Sequence, residues 1–282
     1  MASGRDRPDA ADHALPYQPS PDQADHLAQM KIQNPVRFTR LPDALLFDTD
    51  NTLYPYDPAH AAAMRAVQQK VTTTFSIAEA DFDKAFDEAR KQVKNRLKHT
   101  ASSHSRLLYL QRMLEIMGLG SQVLLALDFE QTYWRTFLSN AILFEGVKDV
   151  LDDLRLLGIP TAIVTDLTAQ IQFRKVVYFG LDHYFDYIVT SEEAGHDKPH
   201  RAPFQIAIEK MRPKSDCIWM IGDNPINDIK GAREMINAVT LQKVHTGTKV
   251  GEGPCAPDAI FSEFKELRAL IKKLATEKSS VF

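Results

Sequence analysis

Cysteine is scarce in this chain. Two in 282 residues, Cys217 and Cys255, make no disulfide framework and match no thiolate metal spacing. A reducing cytoplasm is the compartment they predict. Long apolar runs are missing as well, since none approaches the roughly 18 residues of a membrane span. Arg5 and Arg7 are followed by no apolar segment, so no secretory signal is expected. An excess of positive charge is absent: 34 Lys and Arg stand against 37 Asp and Glu, for a net charge of −3. That balance offers no footprint for general nucleic-acid or membrane-surface binding. The nine histidines are read as surface, core or ligand-facing residues rather than as a zinc set. What is left is an ordinary globular composition, 44% hydrophobic and 25% charged, long enough for one large or two modest domains. It does not distinguish a monomer from a homodimer.

Residues 1–36 read as a disordered tail. Pro8, Pro16, Pro19, Pro21 and Pro35 stand among Asp, Ala and Gln with almost no apolar periodicity. Such a segment buries too little surface to offset its ordering entropy. Residues 57–140 read as helices without a strand. Asp57-Pro58 reads as an N-cap with proline at the first helical position, and Ser76-Ile77-Ala78-Glu79 as a capping box. Leu107, Leu108, Leu110, Met113, Leu114 and Met117 recur at helical spacing, as do Val123, Leu124, Leu127, Tyr133, Trp134 and Phe137. Four antiparallel helices are expected. From about residue 144 the pattern alternates. Residues 160–165 (PTAIVT), 186–190 (DYIVT), 217–222 (CIWMIG) and 238–241 (AVTL) read as buried strands, with helices over 147–157, 168–179 and 203–211. Alternation of this kind predicts an α/β fold, a parallel sheet with helices on both faces. Residues 277–282 read as a C-terminal tail.

The most informative stretch is Ala44-Leu45-Leu46-Phe47-Asp48-Thr49-Asp50-Asn51-Thr52-Leu53. An apolar run able to fill a buried strand ends in two carboxylates one residue apart. Asp48 and Asp50, at i and i+2, can aim at one side of the strand's end. They would repel there unless a cation or a proton sat between them. A divalent metal, with one acid as nucleophile and the other as proton donor, accounts for the arrangement. Three later segments end predicted strands or follow them: Thr165-Asp166, Gly195-His196-Asp197-Lys198-Pro199, and Gly222-Asp223-Asn224-Pro225-Ile226-Asn227-Asp228. Hard carboxylate and carbonyl ligands without clustered Cys or His suit Mg²⁺.

Asp48-Thr49-Asp50-Asn51-Thr52 resembles motif I, DxDxT, of the haloacid dehalogenase-like (HAD) phosphohydrolase superfamily, and the other three segments fall in that family's order across residues 41–264. The resemblance implies a Rossmann-like parallel sheet core, residues 37–56 and 141–276, with an all-helical cap, residues 57–140, inserted after motif I. It implies a Mg²⁺-dependent phosphatase that cleaves a small phosphate monoester (a sugar or acyl-sugar phosphate, or a nucleoside monophosphate) through an aspartyl-phosphate. Asp48 would be the nucleophile and Asp50 the general acid and base. Dehalogenases of the superfamily normally lack the second Asp, having no leaving alkoxide to protonate. Asp48, Asp50 (through its carbonyl) and Asp223 are the implied metal ligands, with Asp228 in a second layer. Thr165 and Lys198 would hold the phosphoryl group.

Asp166 stands where the family often has Asn, and is a candidate specificity residue. Leu53-Tyr54-Pro55 resembles the NTLYP of pyrimidine 5′-nucleotidase-like members, which adds Tyr54. The cap also resembles that of N-acylneuraminate-9-phosphatase-like members. His104 and Arg106, in a basic stretch between inserted helices, complete the specificity candidates, with a solvated helix end as the alternative reading. The partner expected is a small phosphorylated metabolite. Two rival functions stand beside this one. A phosphomutase or phosphotransferase would use the same nucleophile, and phosphate release from labelled substrate separates it. A non-catalytic binding protein on the same fold usually lacks one of the acids, whereas Asp48, Asp50, Lys198 and Asp223 are all present.

Overall fold

A computed structural model of the chain describes residues 30–279. A seven-stranded sheet forms its centre: β1 (Lys31–Ile32), β2 (Ala44–Phe47), β3 (Thr161–Thr165), β4 (Tyr187–Thr190), β5 (Ile218–Gly222), β6 (Val239–Lys243) and β7 (Ala259–Phe261). Their order is β1-β7-β6-β5-β2-β3-β4, parallel throughout except for β1, which pairs antiparallel with β7 at the edge. β2, β3, β5 and β6 are buried along their whole length, as strands covered on both faces must be.

Side-chain alternation sorts the two faces. Ala44, Leu46, Ala162, Val164, Ile218 and Met220 point one way, onto Phe204, Ala207 and Met211 of a helix over Arg201–Met211. Leu45, Phe47, Ile163, Trp219 and Ile221 point the other way. There they meet helices over Val147–Leu156 and Phe264–Ser279. Between β2 and the helix over Val147–Leu156 four α-helices are inserted: α1 (Tyr56–Phe75), α2 (Glu79–Leu97), α3 (Arg106–Ile116) and α4 (Val123–Asn140). Ala59, Ala63, Val67 and Val71 give α1 a buried face of small residues against Phe129, Tyr133 and Phe137 of α4. The insertion shares the sheet's core through Tyr54, whose ring lies 6.2 Å from Phe137 and 4.9 Å from Phe179.

The expected α/β core and helical insertion are present, with local differences. β1 and β7 escaped the sequence reading because two and three residues carry no readable alternation. The expected tail therefore ends before Lys31, and residues 1–29 and 280–282 lie outside the described residues. The last helix runs to Ser279, into the segment read as a C-terminal tail. Asp57 lies in the first turn of α1 and does not cap it; the Tyr56 N–H donates instead to Asn51 Oδ1 at 2.9 Å. Ser76 is not part of a capping box. It ends α1 in a left-handed conformation, φ 53°, while Ala78 precedes α2. Among the described residues no helix is long and apolar enough to cross a membrane.

Edge strand β1 gives the first prediction. Beyond its pairing with β7, Gln33 and Asn34 N–H groups donate to Asp258 O, and Asn34 Nδ2 to Asp258 Oδ1. A chain starting at Arg37 should melt about 6–12 °C below one starting at Met30, from three named hydrogen bonds at about 1 kcal/mol each and about 2–4 °C per kcal/mol in a domain of this size. Equal melting temperatures would place the domain boundary back at residue 36.

Candidate active site

Neighbours in the sheet bring the site together. β2 lies between β5 and β3, and the chain runs from β2 to β3 and β4 on one side before it crosses back to β5 on the other. That reversal opens a crevice at the carboxyl ends of the strands, where ligands bind in open α/β sheets. Phe47 pairs with Ile163 on one side and Ile221 on the other, so Asp48, Thr165 and Asp223 emerge together. Asn224 then caps a π-helical turn, Pro225–Lys230, by accepting from the N–H groups of Ile226 and Asn227. That turn carries Asp228 back under the crevice.

One buried ammonium group joins these ends. Lys198 Nζ lies 2.7 Å from Asp48 Oδ1, 2.6 Å from Asp228 Oδ1 and 2.9 Å from Val164 O. Burial opposes its charge, but Asp228 and Asp48 outweigh burial and hold Lys198 above its usual pKa. Asp228 has both oxygens engaged, the second accepting from Asn224 N–H at 3.0 Å. Thr52 Oγ1 donates to the other Asp48 oxygen at 3.2 Å. Asp166 lines the cavity, and its Oδ1 accepts the Lys198 backbone N–H at 2.9 Å, which fixes the Lys198 loop.

Thr165 Oγ1 lies 2.8 Å from Thr49 Oγ1 and accepts from Gln172 Nε2 at 2.9 Å. Its own proton has Asp166 O within 3.4 Å as an acceptor. Asp50 is held separately. Lys175 Nζ contacts both its oxygens, at 2.7 and 3.0 Å, and the Tyr54 hydroxyl donates to Oδ1. Burial would raise the Asp50 pKa, but Lys175 and Tyr54 overcome it and hold the group below the usual carboxylate range. Tyr54 is thus committed to Asp50 and is buried at 1% exposure, so it does not meet substrate directly.

The charge balance calls for a cation. Asp48, Asp50, Asp166, Asp223 and Asp228 line one cavity with only Lys175 and Lys198 among them at the strand ends. Burial pushes Asp48 up to about 7 and Asp223 up to about 9, the latter helped by Asp228 and Asp48. Carboxyl oxygens of Asp48, Asp223 and Asp228 lie within 4.8 Å of one another, and no other such group of ligand side chains occurs among the described residues. An all-oxygen cluster with uncompensated negative charge fits a hard divalent cation. The sequence does hold one HxxxH spacing, His196 and His200, that the reading of the histidines passed over. Their ring centres lie 4.0 Å apart, tilted by 31°, on the exposed surface and outside this cluster.

The roof comes from the insertion. A cavity of about 750 Å³ runs from Asp48 up to Tyr56, His60, Arg90, Lys94 and Arg106. His104 lines it as well, but its Nε2 is tied to Asp197 Oδ2 at 3.0 Å, joining the insertion to the Lys198 loop. Sequence reasoning missed Lys175, Gln172, Arg90 and His60. The readable signal for Gln172 and Lys175 was a polar pair at i, i+3 inside the buried stripe of Ile171 and Val176.

A profile of the haloacid dehalogenase-like hydrolase family matches residues 42–235. The chain belongs to that family. It is 35% identical over 202 residues to a ribulose-1,5-bisphosphate 5-phosphatase of Halopiger xanaduensis, covering 71% of this chain and 83% of the relative. A glyceraldehyde 3-phosphate phosphatase of Methanopyrus kandleri is 25% identical over 237 residues, 83% of this chain and 99% of the relative. Among solved structures, a 2-haloacid dehalogenase of Pseudomonas syringae superposes with a TM-score of 0.67 at 21% identity, covering 83% of this chain and 99% of that one. That likeness shows the shared fold. The chain is therefore a HAD-like hydrolase.

Gly222 tests how tightly the cluster is built. A Cβ there would stand 2.4 Å from the Asp228 side chain. Gly222→Ala should displace Asp228 from Lys198, cost about 1–3 kcal/mol of stability as overpacking does, and weaken divalent-metal affinity. If denaturation and metal titration both match the parent chain, Asp228 is not held as described.

Proposed function

We propose that this hydrolase is a Mg²⁺-dependent phosphatase that cleaves a small phosphorylated metabolite, a sugar phosphate foremost, through an aspartyl-phosphate on Asp48. The observation that carries the reading is the second acid. Asp50 stands at the same strand end as Asp48 and is fixed by its own buried lysine, Lys175. A departing halide needs no proton, whereas a departing alkoxide does, so a fixed Asp50 favours phosphate ester cleavage. The two relatives named above are phosphatases of small phosphorylated sugars, which supports the same class.

Each residue has a task in this scheme. An Asp48 oxygen attacks phosphorus, and the bond from phosphorus to the ester oxygen breaks. Asp50 gives its proton to the departing oxygen, which leaves as an alcohol. Water then attacks the aspartyl-phosphate and returns a proton to Asp50, releasing phosphate and restoring Asp48. The Thr165 hydroxyl and the Lys198 ammonium hold phosphoryl oxygens through both steps. Asp48, Asp223 and the Asp50 carbonyl would hold Mg²⁺, which supplies positive charge between the acids and the phosphoryl group. The helices of residues 57–140 act as a cap that limits access to small substrates and excludes water. A cytoplasmic location fits the two free cysteines.

Phosphate release from p-nitrophenyl phosphate tests the reading. Turnover should stop in EDTA, return with Mg²⁺, and fall by at least about a thousandfold in Asp48→Asn, because an amide cannot form the acyl phosphate. Activity within tenfold of the parent in that variant would sink the nucleophile assignment.

Lys175→Met separates holding from chemistry. Without Lys175 the Asp50 carboxyl group loses its positioning contact, so cleavage of an alkyl phosphate should slow by tenfold or more. Nitrophenolate departs without needing a proton, so p-nitrophenyl phosphate should be affected far less. An equal loss on both substrates would make Lys175 a structural residue only.

A further inference from the structure

The cap half of the cavity carries charge that the phosphatase chemistry does not use. Arg90 and Lys94 of α2 and Arg106 at the start of α3 all line it. Among the described residues none of the three forms an ion pair, although Asp57, Asp83 and Asp87 line the same cavity. Asp83, Asp87, Arg90 and Lys94 form one stripe along α2, with the acids toward its start and the cations toward its end.

The cations are held in place. Arg106 donates through Nη1 to His104 O at 2.7 Å and through Nη2 to the Tyr56 hydroxyl. Its guanidinium lies 5.2 to 5.8 Å from the ring centres of Tyr133, Tyr109 and Trp134. An arginine packed among three rings loses little further freedom when it binds an anion. His60 Nδ1 lies 2.6 Å from the Tyr133 hydroxyl. Burial, then Arg106 and Arg90, lower its pKa to about 4, so it stays neutral. His60 lines the cavity as well. Lys94 is also depressed, first by burial and then by Arg90 and Arg106. Three cations and a neutral imidazole lining one cavity wall suit an anion.

We infer that Arg90, Lys94, Arg106 and His60 form a second anion subsite that binds a distal phosphate of the substrate, making this enzyme selective for bisphosphorylated small molecules. The inference rests on the phosphatase reading for the reacting end alone. One cavity joins the two poles: the phosphate to be cleaved meets Lys198 and Thr165 at the sheet, and the retained phosphate meets the cap cations. A dianion there neutralises cations that otherwise repel each other.

Binding to the metal-loaded protein, followed by calorimetry, tests this without turnover of the probe's natural counterpart being known. The probes are pentane-1,5-diol bisphosphate, pentyl phosphate and 6-phosphonooxyhexanoate, with Asp48→Asn used to prevent cleavage. The bisphosphate should bind at least about tenfold more tightly than pentyl phosphate, as one charge-assisted hydrogen bond alone provides. It should also exceed the carboxylate probe. The double variant Arg90→Gln, Lys94→Gln, both on the rim of α2 and safe for folding, should erase most of that advantage, as should Arg106→Gln. Equal affinity for bisphosphate and monophosphate overturns the subsite. So does an advantage that survives both variants, and a preference for the carboxylate probe overturns phosphate as its ligand. Failure of the phosphatase reading would look different, with p-nitrophenyl phosphate uncleaved by the parent enzyme while the bisphosphate preference persists.

Discussion

The fold's chemistry depends on a single ammonium group shared by two buried carboxylates. Lys198 sits at 2% side-chain exposure between Asp48 and Asp228. Removing one partner from such a buried pair leaves an unpaired charge, at about 3–5 kcal/mol. The loop that delivers Lys198 is itself held by Asp166, and the turn that delivers Asp228 is wound around Asn224. Gly222 is a glycine because Asp228 occupies the space of its missing side chain. Strand ends, loop and turn therefore fix one another through a charge cluster, not through apolar packing.

A second, separate ion pair divides the labour of the two acids. Asp48 is pushed up by burial, while Asp50 is held down by Lys175 and Tyr54. Without a cation these shifts run opposite to the two roles, which need an ionised nucleophile and a protonated acid; a divalent cation beside Asp48 would favour its ionised form. Lys175 also lies over the rings of Tyr54, Trp134 and Phe137, at 5.4 to 5.8 Å. Two of those rings belong to α4 of the insertion, so the acid's support reaches from the sheet into the cap. The sheet end of the cavity is strongly acidic, which suits a metal, while the insertion lines it with Arg90, Lys94 and Arg106 together with Asp57, Asp83 and Asp87.

Much of this was legible in the sequence, because the informative residues sit where strands end. An apolar run that stops at Asp48 and Asp50 announces both a buried strand and a charged terminus. The same holds for Thr165 and Asp223, and the helical period over 107–137 exposed the insertion. Asp166 and Tyr54 were legible as unusual but not in their roles, since their partners, Lys198 and Asp50, are fixed only by the tertiary fold. His104 and Arg106 were placed together as basic residues. The structure separates them, one tying the insertion to the Lys198 loop and the other lining the roof. Arg90 stayed hidden because a charged residue on a solvated helix face looks the same as one over a cavity. β1 and β7 were hidden by their length, and the Ser76 turn by a left-handed residue that mimics a capping box in sequence.

Direct capture of the covalent state is the most decisive measurement. Rapid acid quenching of the Mg²⁺-loaded enzyme during turnover of a radiolabelled phosphate ester, followed by peptide mapping, locates the phosphoryl group. The account predicts label on Asp48, released by hydroxylamine as an acyl phosphate must be, and absent from Asp48→Asn. Undiminished turnover with no protein-bound label, or label on any other residue, would contradict it.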